Sequence, residues 1–320
     1  MTSRRLSVAI AVHNEDEVLP ELVRRVSAVL DTIPGGPHEV VLVDDGSTDK
    51  TWELILEATA SDPRVVGIRL SRNFGHQAAL TAALEAVTGD LVVVMDGDLQ
   101  DPPEEIPRFV AEYDRGYDVV YAQRVRRKES RPMRASYYLF YRLMHRLSEV
   151  AVPVDSGDFA LLSRRVVDQI NQLPERHRYI RGLRTWVGFQ QTGIPVEREA
   201  RAGGTPSYTI GKLFRLAFDG MFAFSVAPLR AAWLFGACVS AAASLYALYA
   251  IVQRLFLGTS PQGFTALIVA ITFFAGVQLL FLGLIGEYLG RVYDEAKSGP
   301  QYIITEVVHT TTRTTYRPCR

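Results

Sequence analysis

Two aspartates that follow an apolar run are the residues best placed to do chemistry. Asp96 and Asp98 come directly after Leu91–Met95, an uncharged run that includes three valines. Such a run predicts a buried strand of a parallel sheet, and Pro102 and Pro103 prevent the strand from continuing. Two carboxylates at a strand end can share one divalent cation, which in turn can hold substrate phosphates. A lone D-x-D pair is more often a polar turn, so this interpretation depends on the accompanying motifs.

Further acidic residues occur in two other short motifs. In the segment VLVDDGSTD, Asp45 ends the second strand, and Gly46 after it permits a tight turn and the close approach of a ligand to the backbone. A carboxylate at this point can accept hydrogen bonds from a nucleobase or a ribose, or it can cap a helix. Asp155 and Asp158 flank a glycine in VDSGDF, where they are either a third acidic point of the same cleft or ordinary turn residues. We favour the cleft.

The elements that must position these residues alternate along the chain. The predicted strands are separated by amphipathic helices, a pattern typical of an α/β protein with a doubly wound, mostly parallel sheet. In such sheets ligands bind beyond the carboxyl ends of the strands, where Asp45, Asp96 and Asp98 fall. Asn14 with Glu17 predicts a capping box for the first helix, and Ser47 or Thr48 predicts the cap of the second. The predicted strands are Leu6–Val12, Glu39–Val43, Val65–Leu70, Leu91–Met95 and Tyr117–Ala122.

The chain changes character after Arg230. Ala231–Val252 and Gly263–Gly286 carry no charge, and at about 1.5 Å per residue each can cross a hydrocarbon core of roughly 30 Å. Two such segments joined by ten residues predict a transmembrane hairpin at the cell membrane. The flanking segments carry more lysine and arginine than the connecting loop, which holds only Arg254. This bias places the catalytic domain and both termini in the cytoplasm.

Basic and aromatic residues connect the predicted sheet to the hairpin. Arg134–Val150 and Lys212–Ala227 are amphipathic segments suited to a membrane interface, although the first alone would equally suit a surface helix. The basic run from Arg124 to Lys128 lies between sheet and interface segment, where a lipid-borne phosphate would approach. The 35 basic and 35 acidic residues cancel, which gives no overall field to attract nucleic acid. No zinc-binding spacing includes His13 or His76, so we expect structural histidines.

Six motifs in order resemble the polyprenyl-phosphate glycosyltransferases of glycosyltransferase family two. They are VAIAVHNEDE, VLVDDGSTD, RNFGHQAALTAALEA, VVVMDGDLQDPPEEI, DSGDFALLSRR and KLFRLAFDGMFAFSVAPLR. The resemblance runs from about residue 6 to about residue 300. It implies a GT-A fold and the inverting transfer of a hexose, such as glucose from UDP-glucose, to undecaprenyl phosphate with Mg²⁺ or Mn²⁺. A homo-oligomer formed through the hairpin is possible.

The resemblance also implies roles for individual residues. It matches His13 and Glu15 to the first nucleotide-binding segment, and Asp45, next to Gly46, to the base and ribose. It matches Asp96, Asp98 and Gln100 to the metal and diphosphate. Arg124 and Arg134 match residues that meet the acceptor phosphate, and Asp158 matches a weak base. Arg201 precedes a segment that usually contains a lysine near the phosphates. Ser207 stands there instead, which leaves the sugar and acceptor open.

Three other interpretations stay open at this point. A polysaccharide synthase of the same fold would usually have more membrane segments and a Q-x-x-R-W motif. A membrane-anchored dehydrogenase or nucleotide-binding module would carry G-x-G-x-x-G after the first strand, where this chain has HNEDE. A non-catalytic homologue would be expected to have lost Asp96 or Asp98. The predicted organisation is a catalytic domain over residues 1–210, a juxtamembrane helix over 211–230, a hairpin over 231–286 and a cytoplasmic tail over 287–320.

Overall fold

A computed structural model describes residues 4–124, 156–175, 178–197, 227–257, 263–297, 299–310 and 312–315. The described residues form two compact units. The sheet unit contains the described residues up to 197 and those from 299 onwards. The helical unit contains those between 227 and 297.

Nine strands of the described residues form one sheet in the order β7-β5-β6-β4-β1-β2-β3-β8-β9. The central strands β4, β1, β2 and β3 are parallel neighbours, and nearly all their residues are buried because helices cover both faces. β6 lies antiparallel between β4 and β5, and β7 pairs parallel with β5. The strands are β1 Leu6–Val12, β2 Glu39–Asp44, β3 Val65–Leu70, β4 Leu91–Asp96, β5 Val119–Arg124, β6 Ser156–Ser163, β7 Gln191–Val196, β8 Ile304–His309 and β9 Thr312–Thr315. The predicted doubly wound α/β sheet is therefore confirmed.

Helices pack on both faces of this sheet and form two apolar clusters. One cluster joins α1, α2 and α4 to the sheet around Trp52 and Phe109, whose ring lies 4.7 Å from that of Phe159. The other joins α3, α5 and α6 around Leu80 and Leu183. Each large apolar side chain fully buried in this way contributes about 1.5–3 kcal/mol. The helices are α1 Leu19–Leu30, α2 Thr51–Ser61, α3 His76–Ala86, α4 Ile106–Asp114, α5 Arg164–Gln172 and α6 Ile180–Trp186; a 3₁₀ turn spans Pro103–Glu105.

The predicted capping residues of the first two helices are wrong. Asn14 has a φ of +54° and its Oδ1 accepts a hydrogen bond from Thr48 N at 2.9 Å, while α1 begins five residues later with a proline in its first turn. Ser47 Oγ likewise accepts a hydrogen bond from Asn14 N at 3.0 Å. Both side chains tie two neighbouring loops together, so their oxygen atoms are used across the loops and not at a helix end.

The chain returns to the sheet after its second long helix. β8 pairs antiparallel with β3, and β9 pairs with β8. The segment after residue 287 was predicted only as a tail, and the structure gives part of it two strands of the sheet.

The helical unit contains two long helices, α7 Ala227–Leu257 and α8 Phe264–Ala296. Within them, Ala232–Tyr249 and Val269–Gly290 are long and apolar enough to cross a membrane, and these stretches are not buried in the protein. The rings of Phe235 and Phe281 meet edge to face at 6.2 Å. Two apolar helices in succession agree with the predicted hairpin.

Candidate active site

The carboxyl ends of the parallel strands bring most of the predicted site residues to one edge of the sheet. His13 follows β1, Asp45 follows β2, and Asp96 ends β4. Because β6 runs antiparallel to β4, it begins at this same edge, and Asp158 is its third residue. The sheet topology therefore places the first, second and fourth strand ends together with the start of β6.

The turn after β4 is tightly constrained. A Cβ added to Gly97 would lie 2.7 Å from Val12 Cγ1 and 3.1 Å from Ala11 O, so this position requires glycine. Asp98 Oδ1 accepts a hydrogen bond from Gln100 N at 3.1 Å, and Leu99 between them has a φ of +55°. This turn holds the two aspartates of the D-x-D motif on a fixed backbone.

His76 lies against the first of these aspartates. Its Nε2 atom is 3.2 Å from Asp96 Oδ1, and the His76 side chain is 43% exposed. Ligand atoms of His76, Asp96 and Asp158 all lie within 4.8 Å of one another. The expectation that His76 is a purely structural histidine is therefore wrong, because an exposed imidazole faces two carboxylates at the edge where ligands bind.

The surroundings of His76 favour its protonated form. Partial burial alone would lower the pKa of the His76 imidazole, but contact with Asp96 and the negative charges of Asp158 and Asp45 outweigh it and raise the pKa above its usual value. A protonated His76 offsets part of the negative charge that the carboxylates place here.

Asp158 forms an ion pair with an arginine of α6. Arg181 Nη2 donates to Asp158 Oδ2 at 2.8 Å and Arg181 Nε donates to Oδ1 at 3.2 Å, a two-point contact between largely buried side chains. Burial would lower the pKa of Arg181, but the charge of Asp158 outweighs this and raises it. Arg184, one turn further, is 2% exposed and donates to Gly157 O at 3.0 Å. Burial and the nearby Arg181 lower the pKa of Arg184 to about 10.

Asp45 holds the loop between β3 and α3. This loop, Ser71–Gly75, is called the 71–75 loop below. Asp45 Oδ1 accepts a hydrogen bond from Phe74 N at 2.7 Å, and its Oδ2 accepts one from Gly75 N at 2.9 Å. Burial raises the pKa of Asp45 in spite of these two hydrogen bonds, and the residue is 3% exposed. Asp45 therefore shapes this edge of the site through the backbone it binds.

The residues after β1 contact the same loop. Nε2 of His13 accepts hydrogen bonds from Asn73 Nδ2 at 3.1 Å and Asn14 Nδ2 at 3.3 Å. Glu15 N donates to Thr51 Oγ1 at 2.9 Å, at the start of α2. Three loops, after β1, β2 and β3, thus form one connected surface next to Asp96.

A backbone position completes this surface. Gly46 has a φ of +67°, and a Cβ there would lie 2.5 Å from Arg72 C and 2.6 Å from Asn73 N. The β2 turn therefore packs backbone to backbone against the 71–75 loop, which only glycine permits.

The remaining predicted residues lie at or beyond the limits of the described chain. Arg124 is the last residue of β5, where it pairs with Val196 of β7. Arg134 and Arg201 lie outside the described residues, as do Ser207, the first predicted interface segment and all of the second except Ala227. Their roles in binding the acceptor stay predictions.

The donor atoms at the strand edge fit a divalent metal ion. Asp96 and Asp158 offer carboxylate oxygens and His76 an imidazole nitrogen within 4.8 Å of one another, and Asp98 lies on the same turn as Asp96. Hard oxygen ligands suit Mg²⁺ and Mn²⁺, and a single imidazole among them is compatible with Mn²⁺. The set lacks the sulfur ligands of a structural zinc site.

Comparison with known proteins identifies the family to which this site belongs. The family model of glycosyl transferase family 2 matches residues 7–170, which include the carboxyl ends of β1 to β4 and the start of β6. The chain belongs to glycosyl transferase family 2. Together with the relatives described next, this match confirms the resemblance drawn from the six motifs. The chain is a glycosyltransferase, which excludes the dehydrogenase.

Relatives of this family-2 glycosyltransferase match almost its whole length. The glycosyltransferase YkcC of Bacillus subtilis is 40% identical over 93% of this chain and 92% of its own. The bactoprenol glucosyl transferase of Shigella phage SfX is 38% identical over 94% of this chain and 98% of its own. An Escherichia coli prophage homologue of bactoprenol glucosyl transferase is 36% identical over 95% of this chain and 99% of its own.

A solved structure shares the fold of the sheet unit. Glucosyl-3-phosphoglycerate synthase from Mycobacterium tuberculosis, in complex with Mn²⁺, UDP and glucosyl-3-phosphoglycerate, matches with a TM-score of 0.50 at 20% identity. The match covers 68% of this chain and 78% of the synthase. At this identity the likeness establishes the GT-A fold of the glycosyltransferase.

Sequence reasoning missed three residues of the site. His76 was assigned a structural role, and Arg181 and Arg184 were not considered. The arginines have a local signal, because R-G-L-R places two cations three residues apart on one helix face. His76 has no such signal, because its partners Asp96 and Asp158 are distant in the sequence.

Proposed function

We propose that this family-2 glycosyltransferase transfers glucose, or a related hexose, from a UDP-sugar to undecaprenyl phosphate. The product is an undecaprenyl-phosphate sugar with one phosphate between lipid and sugar and with inverted configuration at the anomeric carbon. The observation that carries the proposal is the convergence of Asp96, His76 and Asp158 at the strand edge, beside the loops tied by Asp45.

The strand edge is suited to bind the donor. The connected loops after β1, β2 and β3 offer polar backbone and side-chain groups for the nucleoside, and the D-x-D turn lies at the next strand end. In parallel α/β sheets this is the place where nucleotides bind. We assign the nucleoside to the surface formed by His13, Glu15, Gly46 and the 71–75 loop, and the diphosphate to the turn with Asp96 and Asp98.

A divalent cation belongs to this proposal. Asp96 and Asp98 would hold it, with Gln100 beside them and His76 as a further donor. When bound, Mg²⁺ or Mn²⁺ neutralises charge on the leaving diphosphate. Arg181, a cation of the chain itself at this edge, stabilises negative charge in the same region.

The acceptor is proposed from the relatives and from the chain's own charges. Three relatives with 36–38% identity are named bactoprenol glucosyl transferases or homologues of one, and bactoprenol is a polyprenol. An oxygen of the lipid phosphate attacks the anomeric carbon of the sugar, and the bond between that carbon and the donor diphosphate breaks. That oxygen is already ionised at neutral pH, so it needs positioning more than deprotonation. We assign this positioning to Arg124 and Arg134, with Arg201 nearer the donor phosphates.

The two apolar helices fit this acceptor. We propose that α7 and α8 form a hairpin across the cell membrane, with both termini and the sheet unit in the cytoplasm, where nucleotide sugars are made. The spans Ala232–Tyr249 and Val269–Gly290 have the required length and composition. A membrane anchor keeps the enzyme at the surface where the lipid presents its phosphate.

A product assay tests the proposal. The full chain, purified in detergent, is incubated with undecaprenyl phosphate and each of several nucleotide sugars, and the lipid product is analysed by mass spectrometry. We expect a lipid monophosphate sugar with UDP-glucose or a close analogue. A lipid diphosphate sugar, a soluble polysaccharide or no product with any donor would contradict the proposal.

A further inference from the structure

The segment that follows the second apolar helix packs beside the proposed donor site. This segment, Gly299–Thr310, is called the return segment, and it includes β8. Seven residues separate the end of α8 at Ala296 from the start of β8 at Ile304. Without β8, strand β3 would be an open sheet edge, and the loop at its end would lose a neighbour.

The return segment bonds to the backbone that leads into the 71–75 loop. Ser71 N donates to Ile303 O at 2.9 Å, which extends the strand pairing into the first residue of the loop. Just before it, Thr305 Oγ1 donates to Arg69 O at 3.1 Å. The loop is therefore held at its start by the return segment and at its end by Asp45.

Side-chain packing connects the same two segments. Tyr302, Ile304 and Val307 pack on the apolar cluster that also receives Phe74 of the loop. The hydroxyl of Tyr302 donates to Glu85 of α3, the helix that begins with His76 directly after the loop. The return segment thus contacts the strand before the loop, the loop itself and the helix after it.

We propose that the return segment is a positioning element of the donor site, which holds the 71–75 loop in the conformation that binds the nucleotide. This inference rests on the proposed function, because it takes the loop surface as the place where the nucleoside binds. A loop that occupies its binding conformation a tenth of the time lowers the apparent affinity about tenfold. The return segment contributes no group to the reaction, so its loss weakens donor binding more than turnover.

Two variants of β8 test this role in the full chain. Val307→Asp places a charge against the partly buried apolar cluster, and His309→Asp places the same charge two residues further at an exposed position. Donor and lipid KM, kcat and thermal unfolding are measured for both, together with hydrogen exchange of the peptide over 71–75. If Val307→Asp does not fold, Val307→Ala takes its place with the same measurements.

We expect Val307→Asp to raise the donor KM about tenfold, with faster exchange at Ser71, an unchanged lipid KM and kcat at saturating donor close to that of the wild type. His309→Asp should match the wild type. An unchanged donor KM, or an equal change in donor KM and kcat, would overturn the inference. Failure of the wild type to use any nucleotide sugar would instead refute the proposed function, so the two failures are distinct.

Discussion

Asp158→Asn removes one negative charge while it keeps the shape of the side chain. In the structure this carboxylate binds Arg181 through both oxygens, at 2.8 and 3.2 Å, and its charge also offsets that of Arg184. Without it, two guanidinium groups one helical turn apart lose the carboxylate between them. The structure therefore predicts that Asp158 acts on stability and on the position of Arg181, and that it is at most a weak base.

The magnitude follows from the burial of the pair. Removal of one partner from a fully buried ion pair costs about 3–5 kcal/mol. The side chains of Asp158 and Arg181 are 14% and 20% exposed, so water screens part of this interaction. We expect Asp158→Asn to lower the free energy of unfolding by about 2–3 kcal/mol, or about 4–12 °C in Tm for a unit of this size.

A double-mutant cycle in the full chain separates the ion pair from a base. Arg181→Gln should destabilise by a similar amount, and the double variant should be more stable than the sum of the single effects by about 2 kcal/mol. The acid limb of the pH–rate profile should persist in Asp158→Asn, because it belongs to the lipid phosphate with a second pKa near 6. If Asp158→Asn unfolds at the wild-type temperature, loses about a hundredfold in kcat and lacks that limb, Asp158 is a general base.

Four further predictions follow. Asp98→Asn should lower kcat about a hundredfold and excess chelator should stop turnover in the wild type, whereas full activity in chelator would exclude the cation. The pKa of His76 is raised in the folded protein, so its charged form stabilises the protein below about pH 6.5 and this contribution is lost as the pH rises. In metal-free protein, the Tm of the wild type should therefore exceed that of His76→Gln at low pH, and the difference should shrink as the pH rises. Gly46→Ala should destabilise by about 1–3 kcal/mol and raise the donor KM, because its Cβ would meet the backbone of Arg72. In intact cells, an impermeant thiol reagent should label a cysteine at Thr259 and not one at Ser3; the reverse would refute the topology.

The strands of the sheet could be predicted because their signal is local. Runs such as Leu91–Met95 are buried on both faces, so every residue of the run is apolar. Four of the five predicted strands lie within one residue of those observed, and the fifth is displaced by two residues, to Val119–Arg124. The return segment gave no comparable signal. In β8, apolar and polar residues alternate only weakly, and the strand depends on pairing with β3, more than 230 residues earlier in the chain.

The helix caps could not be predicted because a side-chain oxygen does not reveal its partner. Asn14 and Ser47 are good capping residues in isolation, yet each binds the backbone of the other's loop. The same limit applies to the site. Strand ends identified Asp45, Asp96 and Asp98, whereas the contact of His76 with Asp96 exists only after β4 and α3 have packed on the same sheet.

The proposed donor half of the site is held by several independent contacts with one loop. Asp45 binds the backbone at its end, Gly46 packs against its middle, His13 accepts from Asn73, and the return segment binds Ser71. A loop fixed in this way loses little conformational entropy when the nucleotide binds. More of the binding energy is then available to stabilise the leaving diphosphate. Asp45 then serves the donor site chiefly through the loop, because each of its buried oxygens already accepts one backbone N–H. The edge of the site that contains Asp158 and Arg181 is built differently, from charged side chains, which suits a region where charge moves from one phosphate to another in the proposed reaction.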